Sequence, residues 1–234
     1  MDYTYGILEE IIYDSYSIGD LIEYNGMEFY VIKNSDSKES SVTMLKKDLF
    51  TIEELNLYGG VGTDNNYVNR YAKYDQNGGL PSSSTGHTSY YGSATCGFVD
   101  GMYYDSDCKT NYADSDIKHI VDAWSLDKFS VKDLVVDETG YSARLLTLDE
   151  LRNNLGYGES NDATENTPNW LFNVQCYSYW TMTPYDDYDV WIINVAWGGI
   201  GKEWVHGYEF STGGYYWSGA VRPVITIKKS ALSE

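Results

Sequence analysis

The residues of this chain best suited to chemistry lie near its C-terminal end, and most are aromatic. Tyr185, Tyr188, Trp191, Trp197, Trp204, His206, Tyr208, Tyr215, Tyr216 and Trp217 fall between positions 185 and 217. Gly198, Gly199, Gly201, Gly207, Gly213 and Gly214 divide that stretch into short turns, and Asp186, Asp187, Asp189, Asn194 and Lys202 supply polar groups. Large rings give contact area at low entropic cost, and short polar neighbours adapt their hydrogen bonds around them. The pattern predicts a binding face. Its expected ligand-contacting residues are Tyr185, Asp186, Asp187, Tyr188, Asp189, Asn194, Trp197, Lys202, Trp204, His206, Tyr208, Tyr215, Tyr216 and Trp217. Alternate residues of a strand point inward, so part of the aromatic set belongs to the core. Trp180, Trp191 and Val195 are expected inside, and Trp197, Trp204 and Trp217 outside.

Composition supports the same reading. The chain has 24 Tyr and 7 Trp but only 6 Phe. A core-driven aromatic excess would favour Phe, whereas Tyr combines ring area with a hydroxyl that is content near water. Asp and Glu total 35 against 16 Lys and Arg, a net charge of -19. Such a chain repels phosphate backbones and anionic bilayers, which excludes nucleic acid and membrane surfaces as expected partners. No apolar run approaches the roughly 20 residues needed to span a bilayer.

No catalytic constellation is visible, and the chain is expected not to be an enzyme. The histidines are His87, His119 and His206, and no nucleophile elbow, HExxH helix or phosphate-binding loop occurs. Asp186-Asp187 is an adjacent pair in a predicted loop, which is not the geometry of an acid/base couple. Calcium needs several oxygen ligands, and Asp105, Asp107, Asp114 and Asp116 could offer them, but turn and helix-cap roles explain these residues as well. No metal or cofactor is expected. Cys96 and Cys108 close a short loop that fits a disulfide, whereas Cys176 reads as a small buried hydrophobe.

The elements that must position the binding face follow from periodicity and turn chemistry. Leu21 to Tyr24 and Glu28 to Ile32 flank Asn25-Gly26, a strong hairpin signal. Ser41 to Leu45 reads as a third strand. Thr51-Ile52-Glu53-Glu54 and Thr147-Leu148-Asp149-Glu150 are capping boxes, each opening a helix. Ile117, Ile120, Val121 and Trp124 form one helical stripe. Residues 59 to 112 read as a long irregular stretch. Ala143 to Leu146, Trp170 to Phe172, Tyr179 to Met182, Val190 to Val195, Glu203 to Phe210 and Ala220 to Ile227 are predicted strands. The sum is an α+β domain with helices near 116 to 126 and 148 to 155 around a twisted antiparallel sheet with long irregular loops.

ARLLTLDEL (143 to 151), YWTMTP (179 to 184), VWIINVAWGG (190 to 199) and SGAVRPVITI (218 to 227) resemble, in order, segments of C-type-lectin-like domains of the formylglycine-generating-enzyme and retroelement-variable-protein type. With IGDLIEYNGMEFYVI, SVTMLKK and DIKHIVDAW, they also resemble a group of surface or pilin-associated proteins of gut Firmicutes. The resemblance runs from about residue 18 to the end. It implies a single C-type-lectin-like domain over 18–234 after an N-terminal extension, 1–17, and a structural role for Arg222 against a carboxylate or carbonyls. It further implies recognition of a protein or glycan on a host, microbial or phage surface. The matching C-terminal part, 185–217, is where variable proteins of diversity-generating retroelements carry their variable residues. The alternative is a structural pilin-like or cell-wall component without a specific ligand. The sugar-binding motifs of C-type lectins are absent, and Cys176 lacks the nearby second cysteine that formylglycine-generating enzymes use. No signal-peptide pattern follows Met1, so the chain is expected to be either cytosolic or, the favoured reading, extracellular or at the cell surface with a targeting segment upstream of it.

Overall fold

The structure is a computed structural model. It describes residues 16–34, 41–60, 101–102, 104–107, 109–158, 163–174, 176, 178–195, 198–204 and 219–232. It is an α+β arrangement of two five-stranded sheets.

The first sheet begins with the expected hairpin. Strands β1 (Leu21–Tyr24) and β2 (Met27–Asn34) meet at Asn25-Gly26. Both turn residues take positive φ, 51° and 72°, which suits Asn and Gly and matches the twist of the strands. The Asn25 side chain donates to the Lys128 carbonyl at 2.9 Å, fastening the turn to a helix end. Strand β3 (Ser41–Lys46) pairs with β2 across a bulge, and on its other side with the closing strand β10 (Val224–Lys228). The short β5 (Ala143–Arg144) completes the order β1-β2-β3-β10-β5. Strand β3 therefore joins the N- and C-terminal strands in one sheet.

The second sheet has the order β4-β9-β6-β7-β8. Its strands are β4 (Gly101–Met102), β6 (Ser178–Pro184), β7 (Asp189–Asn194), β8 (Gly199–Trp204) and β9 (Gly219–Ala220). All pairings are antiparallel except β6 with β9.

Both sheets are packed on two faces, because alternate residues enter different apolar clusters. Met44, Ile225, Trp180 and Ile192 join one cluster; Leu45, Val224, Tyr179 and Ile193 join the other. Helices α1 (Ile52–Leu57) and α2 (Asp116–Lys128) cover the first cluster with Leu55 and with the Ile117, Ile120, Val121 and Trp124 stripe. Helix α3 (Leu148–Asn153) covers the second with Leu148 and Leu151. Thr51 and Thr147 each accept the backbone N–H three residues on, and Glu54 and Glu150 accept the Thr N–H in return. Each cap is worth about 1 kcal/mol.

Several expectations need correction. The predicted single sheet is two. The predicted closing strand, Ala220 to Ile227, is split: β9 belongs to the second sheet and β10 to the first. Pro223, which has no N–H to give a ladder, lies in the break. Trp170 to Phe172 is not a strand but lies at a 3-10 turn, Asn169–Leu171, following Pro168. The strand expected from Glu203 begins earlier, at Gly199. The Cys96–Cys108 bond falls outside the described residues.

Two buried arginines tie these parts together. Arg222, in the break between β9 and β10, donates to the carbonyls of Lys46 (2.8 Å), Lys47 (2.9 Å), Trp170 (3.2 Å) and Leu171 (3.3 Å). Arg144 lies between two carboxylates, with Nε and Nη2 on Asp137 and Nη1 and Nη2 on Glu150, at 2.5–2.9 Å. Burial alone would raise the Asp137 pKa, but the Arg144 charge and hydrogen bonds from Thr139 and Arg144 overcome it and hold the carboxyl below its ordinary value.

Arg222→Ala should lower unfolding stability by at least ~3 kcal/mol in a urea titration, since it strands several buried carbonyls. Arg222→Lys should recover little, because one ammonium cannot reach acceptors spread around a planar fork. For Asp137, the lowered folded pKa means its stabilisation is complete above about pH 3.9 and is lost as pH falls through the folded value. Asp137→Asn should therefore be less stable than the parent at pH 7, with the gap narrowing in melts taken at successively lower pH below 4.

Candidate functional site

The described part of the predicted binding face is built by the hairpins on either side of β7. Chain reversal between β6 and β7 uses residues 185–188. The N–H groups of Tyr185 (2.8 Å) and Asp186 (3.2 Å) both donate to the Asp189 carbonyl. One Asp186 carboxylate oxygen accepts the N–H groups of Tyr188 and Asp189, each at 2.8 Å. Those two donors hold the Asp186 pKa below its ordinary value. The turn is thereby fixed from inside, and its large side chains face water: Tyr185 is 45% and Tyr188 61% exposed.

Strand register brings the neighbouring groups together. Trp191 lies opposite Lys202 on β8, and Asp189, two residues before Trp191, shares that face. The Tyr185 ring stands edge-on to Trp191, with centroids 4.9 Å apart and planes at 76°. The Lys202 ammonium lies 4.2 Å from the Tyr185 centroid and 3.0 Å from Asp189 Oδ2. Two rings, a carboxylate and a cation thus meet at one corner of the sheet. Such a corner can hold a ligand by ring contact, by exchange of the cation and by hydrogen bonds from an ordered turn.

Not every predicted contact residue reaches this corner. Asp187 is exposed on the same turn. Asp189 contributes from below, with its side chain only 8% exposed. Asn194 is buried at the far end of β7, where its backbone carbonyl accepts the Gly198 N–H, and so lies away from this corner. Trp204 is placed by its backbone as the partner of Asp189. Trp197, His206, Tyr208, Tyr215, Tyr216 and Trp217 lie outside the described residues. The core assignments hold for Trp180 and Val195 but not for Trp191. It is half-buried, because it sits where the second apolar cluster opens toward Tyr185. The Asp189–Lys202 pair was not expected as a pair. Gly198-Gly199 carries the signal that could have found it: a glycine turn between two strands, with Gly198 at φ 69°, sets the register that aligns them.

Of the four aspartates weighed for calcium, Asp105 and Asp116 accept backbone N–H groups, Asp107 accepts from the Lys109 ammonium and Asp114 from the Asn111 side-chain amide. Asp105 accepts the N–H groups of Asp107, Lys109 and Asp116, and Asp116 accepts that of Ser106. Together they bind residues 105–107 and Lys109 to the start of α2. Among the described residues no group of three or more His, Cys, Asp or Glu side chains is placed to hold a metal ion. None of the described helices is long and apolar enough to cross a membrane.

The Asp186 contacts give a local test. Asp186→Ala removes the shared acceptor, so amide exchange at Tyr188 and Asp189 should accelerate while exchange in β6 and β10 stays at the parent rate. Unchanged exchange at both amides would mean that Asp186 does not order the turn.

No family model, curated protein or solved structure matches this chain.

Proposed function

We propose that this protein is a ligand-recognition domain of C-type-lectin-like fold, displayed outside the cell. In this reading it binds a protein or glycan through the Tyr/Trp-rich segment 185–217 and performs no catalysis. The observation that carries the reading is the exposed Tyr185 and Tyr188 pair on a turn held rigid by Asp186, beside the half-buried Trp191. Exposed aromatics on a mobile loop would lose much of their contact energy to ordering, whereas a pre-ordered turn avoids that cost.

Further support for the fold is the pairing of β3 with β10 and the placement of α2 and α3 on different clusters. The resemblance to retroelement variable proteins gives the segment a second meaning. Tyr185, Asp186, Asp187, Tyr188, Asp189, Asn194, Tyr208, Tyr215 and Tyr216 fit the residue types such diversification yields, whereas Lys202, Glu203, Trp204 and Trp217 fit them poorly. The ligand would then differ between relatives while the scaffold stays constant.

The test is an array of glycans and surface proteins probed with the parent and with a Tyr185→Ala/Tyr188→Ala variant. Both residues are solvent-facing, so the variant should melt within a few degrees of the parent. Binding by the parent that drops at least about tenfold in the variant, ~1.4 kcal/mol, supports the reading. No binding by the parent, or equal binding by both, would overturn it and favour a pilin-like or cell-wall component.

A further inference from the structure

We propose that the corner formed by Tyr185, Trp191 and Asp189 is a receptor for a cationic side chain, Arg before Lys, of a protein partner, and that Lys202 occupies it in the unbound protein. The proposal deepens the binding reading above by naming the ligand chemistry.

Lys202 already makes both contacts that a cationic ligand would make there, one to the Tyr185 ring and one to Asp189 Oδ2. It is held loosely. Its side chain is 48% exposed, and a flexible stem with one carboxylate contact is readily exchanged. The carboxylate beneath it is less well served than its burial requires. Asp189 Oδ1 is buried and has no hydrogen-bond partner among the described residues. A buried carboxylate oxygen left unpaired is costly, and the neighbouring ammonium is a point charge that engages only Oδ2. A guanidinium presents two parallel N–H groups, matched to both oxygens of one carboxylate, and its flat face can stack on a ring. Once Lys202 swings into solvent, an arginine entering over Tyr185 would satisfy the oxygen that the resident lysine leaves bare.

Charge selects the source of the cation. The chain carries a net charge of -19, and Asp186 and Asp187 lie exposed on the same turn. That field draws basic protein surfaces and repels anionic glycans and phospholipid headgroups.

The probe is a fluorescein-labelled hexa-arginine peptide, titrated in 0.15 M NaCl against the full chain and three single variants. Lys202→Ala empties the corner. Lys132→Ala removes the same charge from the exposed 131–133 turn, remote in sequence from the corner. Tyr185→Ala leaves net charge unchanged. The expected result is tightening of about fivefold or more for Lys202→Ala, ~1 kcal/mol, less than about twofold for Lys132→Ala, and weakening of about fivefold or more for Tyr185→Ala. Hexa-lysine should bind more weakly than hexa-arginine to the Lys202→Ala variant. Equal tightening by the two lysine variants would show binding to the general negative field, and indifference to Tyr185→Ala would remove the ring; either overturns the proposal. If an array ligand is lost with Tyr185→Ala/Tyr188→Ala while the peptide series fails, the binding reading stands and the cation receptor falls.

Discussion

The Arg222 guanidinium is the contact on which the arrangement turns. Its donors meet carbonyls from the end of β3 and from the 3-10 turn, and one nitrogen lies 3.4 Å from the Tyr179 hydroxyl of β6. Three stretches far apart in sequence are thus gathered around one rigid fork. The flanking backbone reinforces the junction: Phe50 donates to the Val221 carbonyl and Lys46 to that of Pro223. Without those donors, the carbonyls that β3 leaves beyond its ladder would be buried unpaired, a state that native interiors avoid. The closing strand can leave one sheet and enter the other because this residue satisfies the gap between them.

Arg144 is a contrasting solution to the same problem. It is buried between Asp137 and Glu150, and Glu150 is also the returning half of the α3 capping box. One carboxylate therefore links a helix start to a sheet edge. An ion pair of this kind adds little net stability compared with apolar packing, but it is severe on any arrangement that leaves one partner behind. It fixes where α3 begins relative to β5 more than it deepens the well. The Thr43–Thr226 hydroxyl contact at 3.0 Å, with Thr226 also 3.2 Å from Asp137, extends the polar seam along the β3–β10 pair.

Local chemistry made much of the fold legible from sequence. Asn25-Gly26, the two capping boxes and the Ile117 stripe act over a few residues, and each forms where the pattern places it. Most of what failed was non-local. Nothing in Ala220 to Ile227 distinguishes one strand from two that serve different sheets, because the pairing partners lie between 41 and 185 residues away. Trp170 to Phe172 looked like a strand because its apolar run carries no period, and a preceding proline turns it into a 3-10 segment. Both faces of β7 are packed along most of its length, so alternation could not say that Trp191 sits at the open end while Asn194 sits at the closed one. The site was legible in its exposed residues, Tyr185 to Tyr188. It was not legible in the Asp189–Lys202 pair, which depends on strand register.

Gly219 bears on how such a molecule changes over generations. A Cβ there would fall 2.6 Å from two indole atoms of Trp180, so the first described residue after the aromatic-rich stretch admits no side chain. Three positions later comes Arg222, equally unforgiving. Tyr185 and Tyr188, by contrast, face solvent, where most replacements move stability by less than about 0.5 kcal/mol. Intolerance is concentrated at the junction and freedom at the corner. Lineages carrying this scaffold can therefore change a few outward positions by drift, without a compensating change in the interior.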